Sequence, residues 1–160
     1  MNTQTKVPDG EPTIIMTRVY DAPCDLVWQA MTEPRHVQRW WGGPGVSNPV
    51  CEMDVRPGGL WNHVMRFPDG RDLHLAFVFV EVEKPSRLVW QHTDYGRRNE
   101  GPPASHTTVT FDDLGGKTRW TMVARFLSME DRDAAVGFGF SRPIAASNDS
   151  LAEYLKTMME

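Results

Sequence analysis

Cysteine is scarce in this chain of 160 residues: Cys24 and Cys51 are the only two. They match no metal-ligand spacing and form no disulfide framework, which points to reduced thiols and a cytoplasmic location. No stretch approaches 18 consecutive apolar residues, so no membrane span is predicted. Residues 1–12 lack the apolar segment of a secretory leader. Like charges are never concentrated in runs of five or six, and the formal net charge is -4. That balance argues against a nucleic-acid partner, which would call for a basic face to release counterions from phosphate. Catalytic signatures are missing too. There is no G-x-S-x-G elbow, H-E-x-x-H helix, phosphate-cradling glycine loop or Ser/His/Asp constellation. No cofactor, metal or catalytic residue is therefore assigned.

What is present describes one domain of ordinary composition, 40% hydrophobic and 24% charged, long enough to bury a core without staples. Residues 1–12 are polar and read as a disordered tail before a single domain over 13–160. β-Branched and aromatic residues over 13–20 favour a strand. Pro23 then suits the first turn of a helix over 24–31, and Thr32-Glu33-Pro34 restarts a second short helix ending near Arg39. Next come apolar runs separated by turn chemistry, giving strands at roughly 46–55, 60–67, 72–83, 87–93, 105–112 and 117–127. Their punctuation indicates an antiparallel meander, not βαβ units. Ser128 with Glu130 and Asp131 marks a helix start. Pro143, with Gly137 and Gly139, predicts a kink or break between 137 and 147 in the C-terminal helical region. The fold class is α+β: a curved antiparallel sheet of about seven strands around a long C-terminal helix.

That order resembles the START-like (SRPBCC, helix-grip) superfamily. The specific words resemble the branch named after the C-terminal domain of the heat-shock-protein-90 ATPase activator. They are Arg18-Val19-Tyr20-Asp21-Ala22-Pro23, Val27-Trp28-Gln29-Ala30, Thr32-Glu33-Pro34, Trp40-Trp41-Gly42 and Asp54-Val55-Arg56-Pro57-Gly58-Gly59. Further along stand Pro68-Asp69-Gly70, Pro85-Ser86-Arg87-Leu88 and Asp149-Ser150-Leu151-Ala152-Glu153-Tyr154-Leu155. Two positions depart from the family pattern, Ala76 for a frequent Gly and Pro143-Ile144 for a common Gly-Trp pair. The resemblance implies binding of a lipid, polyketide or similar hydrophobic molecule, a chaperone-interacting role, or cyclase- or hydrolase-type catalysis. Fold analogy does not choose among these.

Strand alternation selects the candidate site. One face carries Trp61, His63, Met65 and Phe67, and the next strand is expected to present His74, Ala76, Val78, Val80 and Val82. Leu88, Trp90 and His92 follow, then Trp120, Met122, Ala124 and Phe126. Facing the helix residues Phe138, Phe140 and Ile144, these faces form an apolar, aromatic wall suited either to a small-molecule pocket or to a filled core. Of Trp40 and Trp41, one is expected as a buried plug and the other, Trp41 in the ligand set, at the entrance. The hairpins are expected to set His63 near Ala76 and His92 near Val78. The two histidines would then lie two strands apart, unable to share a metal ion. His36 and His106 read as surface residues. Asp94, Tyr95 and Arg97, beside His92, read as a ligand-orienting group or a solvated loop. Asp54 and Arg56 are expected to pair across the corner at Gly58-Gly59. An exposed edge strand leaves the chain a monomer or a homodimer.

Overall fold

Pro23 and Pro34 set the first two helices of this computed structural model, which describes residues 2–96 and 103–160. Pro23 occupies the N-cap of α1 (Cys24–Thr32), and Pro34 opens α2 (Pro34–Trp40), where its missing N–H has no intrahelical role. Glu33 alone separates them, ending one helix and starting the other. Ahead of them lie β1 (Gln4–Lys6) and β2 (Thr13–Tyr20). After them come β3 (Ser47–Met53), β4 (Leu60–Arg66), β5 (Asp72–Glu83), β6 (Arg87–His92), β7 (His106–Asp113) and β8 (Thr118–Arg125). Two helices close the chain, α3 (Met129–Gly137) and α4 (Ser141–Met158).

The strands form one antiparallel sheet in the order β1-β2-β8-β7-β6-β5-β4-β3. Eight strands replace the seven expected because part of the polar tail pairs with β2, Gln4 opposite Thr17 and Lys6 opposite Ile15. Backbone hydrogen bonds carry that edge strand; its three side chains are all exposed. The inner face of β2 alternates Ile14, Met16, Arg18 and Tyr20, all buried. Only one of the four is charged.

The register of β5 differs from expectation by one residue. His63 pairs with Leu75 and His92 with Phe77, because Arg66 and Asp72 close a five-residue loop. A one-residue slip sends every side chain to the other face. Phe77 and Phe79 therefore point inward and are buried, while His74 and Ala76 are exposed. A bulge between Phe79 and Glu81 then leaves Val80 and Glu81 both exposed and brings Val82 back toward the core.

The expected break in the C-terminal region falls at residues 138–140, where Gly139 takes φ 78°. Pro143 is the third residue of α4, in a turn whose N–H groups have no intrahelical acceptor, so it does not kink the helix. Helix α4 packs on α1 and α2, and it buries Leu151 and Leu155 in the core. Among the described residues no helix is long and apolar enough to cross a membrane.

Candidate functional site

The inner face of the sheet makes an aromatic floor centred on Trp61. Its ring lies 4.9 Å from Phe77, 5.4 Å from Trp90 and 5.8 Å from Phe79, which it stacks nearly parallel. Trp41, at the end of α2, meets Trp61 edge-on at 5.1 Å. Such contacts add to area burial about 0.5–1.5 kcal/mol each. The floor continues through Val109 and Phe111 to Trp120 and Met122, all buried. Above it, α4 closes unevenly. Its core-facing side chains Leu151 and Leu155 are fully buried, whereas Ile144 and Ala145, about two turns nearer its start than Leu151, are half-buried.

His63 sits in this floor with both ring nitrogens engaged. Trp61 Nε1–H donates to His63 Nδ1 at 3.2 Å, so Nδ1 carries no proton. The proton is therefore on Nε2, which donates to Asn48 Oδ1 at 2.8 Å. Asn48 Nδ2 in turn donates to the carbonyls of Gln38 and Trp41. This chain of donors and acceptors ties β4 to α2 and fixes the neutral ring. Burial holds the His63 pKa down at about 4. Neither nitrogen is free for proton transfer or a metal.

A second polar group lies toward the other edge of the sheet, on β2 and β8. Arg18 pairs with Asp149 of α4, and its guanidinium stands 5.3 Å from the Tyr20 ring centroid. Arg18 and Trp120 are direct cross-strand neighbours. Among the described residues Arg18 Nε, Tyr20 OH and Trp120 Nε1 are buried without a hydrogen-bond partner. Burial raises the Tyr20 pKa far above the phenol range. Sequence reasoning missed this group. Its one signal was a charged residue at an inward position of an otherwise apolar alternation.

Comparison with known proteins places the chain. Residues 21–156 match the family described as Activator of Hsp90 ATPase homolog 1-like protein. The chain belongs to this family. No curated protein matches it. Its fold is shared with a protein from Nitrosomonas europaea, 27% identical over 95% of this chain and 99% of that one, with a TM-score of 0.84. A Rhodobacter sphaeroides protein at 21% identity superposes with a TM-score of 0.86, covering 98% and 99%. The similar AHSA1-like protein from Aeromonas hydrophila is 20% identical, with a TM-score of 0.68 over 90% and 93%.

In this family member the expected site residues divide. Trp41, Trp61, His63 and Trp90 come together, Met65 is buried on the same strand face, and Trp120 and Met122 extend the floor. Ile144 packs half-buried against the core. Trp40 is the buried plug, its Nε1 donating to the Ala30 carbonyl, and Trp41 is the half-buried partner. His92 is half-buried with its ring 4.8 Å from Phe77, and its Nδ1 accepts the Ser105 N–H. Two candidates fall away. His74 is exposed on the outer face through the register slip, and Phe138, at the α3 C-cap, is 70% exposed. His36 and His106 are not free surface residues: each is half-buried, His36 against the Tyr154 hydroxyl at 2.6 Å and His106 against Gln91. Asp54 and Arg56 pair at 2.8 Å as expected. Tyr95 packs on His106, and Arg97 lies outside the described residues. Among the described residues no group of three or more His, Cys, Asp or Glu is placed to hold a metal ion.

Proposed function

We propose that this protein binds a hydrophobic or aromatic small molecule between the sheet and α4, in the cytoplasm, where its free thiols Cys24 and Cys51 stay reduced. One observation supports the reading most. Trp41, Trp61, Phe77 and Trp90 form one aromatic cluster on the inner face of the sheet, and Ile144 and Ala145 near the start of α4 are only half-buried against the same core. An apolar, aromatic surface of this kind suits a flat or flexible apolar ligand, and a few polar groups beside it orient that ligand. Nile red, a neutral probe, tests this. It should quench Trp emission saturably, and Ala145→Phe, which adds bulk to α4 where it packs half-buried on the core, should weaken its binding at least ~10-fold. Absence of quenching, or equal binding by the variant, would overturn the reading.

The family description and the exposed apolar side chains Leu127, Met129, Val136 and Phe138 around α3 favour a second reading, contact with a chaperone of the heat-shock-protein-90 type. Capture of the purified chaperone by the wild type and its loss with Phe138→Asp support this. No capture at micromolar concentration removes it.

A further inference from the structure

We infer that the groove ends in a carboxylate subsite, in which Arg18, Tyr20 and Trp120 together receive the acid group of an otherwise apolar ligand. The inference rests on the small-molecule reading above and adds the ligand's class. Three buried groups on neighbouring strands carry it. Arg18 is 8% exposed, Tyr20 1% and Trp120 2%. Arg18 and Trp120 face one another across β2 and β8, and Tyr20 follows Arg18 by two residues on the same face. Arg18 Nε, Tyr20 OH and Trp120 Nε1 have no partner among the described residues.

Their chemistry is one-sided. The indole N–H and the guanidinium Nε–H only donate, and the phenol can join them as a third donor. An apolar occupant leaves all three unmet, at a cost of about 1–3 kcal/mol for each buried group. An oxygen acceptor with several lone pairs meets them at once. Charge decides between a carbonyl and an acid. The Arg18 ion-pair partner, Asp149, has a side chain 69% exposed, so water screens that carboxylate while the guanidinium itself is buried. A ligand carboxylate supplies four acceptor positions and a second countercharge from inside the groove. Phe111 lies opposite Trp120 on β7, and Met122 follows on β8, so the ligand's apolar body continues onto the aromatic floor.

The test compares 11-(dansylamino)undecanoic acid with its methyl ester by fluorescence titration of the wild type, Tyr20→Phe and Trp120→Phe. The wild type should bind the acid at least ~10-fold tighter than the ester, since hydrogen bonds to a charged group are worth about 1.5–3 kcal/mol. Each variant should weaken the acid by about 10-fold, and Tyr20→Phe should leave the ester within about twofold. If acid and ester bind alike and neither variant changes the acid, the donors are met by ordered water and the subsite is overturned. With Nile red still bound, that result leaves the groove reading standing. Loss of Nile red, acid and ester together removes the groove reading and the subsite with it.

Discussion

Replacing His63 by glutamine isolates what the buried neutral ring contributes to stability as pH falls. In the unfolded chain a histidine takes up its proton near pH 6.5, whereas in the fold burial holds His63 down at about 4. Between those values the unfolded state binds more protons, so the His63 contribution is fully present above about pH 6.5 and is lost as pH drops toward 4. A depression of roughly 2.5 units corresponds to about 3 kcal/mol in full, of which ~2 kcal/mol is gone by pH 5. Protonation has a local cause for its cost. Nδ1 accepts from Trp61, so a proton there sets two donors against each other. Urea unfolding of the wild type and His63→Gln at pH 7.5 and pH 5 gives the comparison. Other titrating groups, including His36 and His106, whose pKa values burial also lowers, act in both proteins and cancel. The wild type should lose ~2 kcal/mol more than the variant over that interval. Equal losses would refute the assignment of a neutral, doubly bonded ring.

Three further substitutions test the frame that carries the aromatic floor. Gly59→Ala should destabilise the fold by more than ~2 kcal/mol in urea, since the added Cβ falls 1.9 Å from the Asp54 carbonyl oxygen and the backbone must move. An unchanged midpoint would show that this corner yields freely. Leu151→Ala should cost about 2–5 kcal/mol by removing a fully buried side chain from under α4, while Phe138→Ser should stay within ~0.5 kcal/mol of the wild type. Similar losses at both positions would contradict the assignment of Phe138 to the surface.

Legibility in the sequence tracked how unequal the two faces of each strand are. On β4, Trp61, His63 and Met65 alternate with Asn62 and Val64, and the inward set was read correctly. On β5 both faces are apolar over residues 77–80, so alternation offered no preference between the Phe pair and the Val pair. The bulge at Val80 then broke the period. A loop one residue different from the expected turn was enough to carry His74 outward. The aromatic pair takes the inside because it removes more apolar area from water. Phe138 failed for another reason: it fits the helical apolar series yet stands at a C-cap, where the chain turns away before α4. The short edge strand β1 has no side-chain pattern at all, and only backbone pairing reveals it. Arg18 was legible as a family word and as a charge within the apolar alternation of β2, but its neighbour Trp120 follows only from the register of β2 with β8.

The two polar groups on the inner face of the sheet differ in a way that stability measurements expose. At the His63 end every donor has an acceptor: Trp61 gives to His63, His63 to Asn48, and Asn48 to two carbonyls. At the Arg18 end donors outnumber acceptors, although a phenylalanine at position 20 would keep the ring beside the guanidinium and remove one unmet hydroxyl. A fold selected for packing alone gains nothing by retaining that hydroxyl, whereas a ligand site accepts the cost in exchange for recognition. Tyr20→Phe should therefore melt at or above the wild-type temperature when no ligand is bound, because it deletes a buried group that has no partner. A water held by the same hydroxyl predicts the opposite sign, a loss of about 1 kcal/mol and a lower melting temperature. Calorimetry of the ligand-free protein separates the two, and a clear drop in the variant's melting temperature would show that the phenol was never an unmet donor.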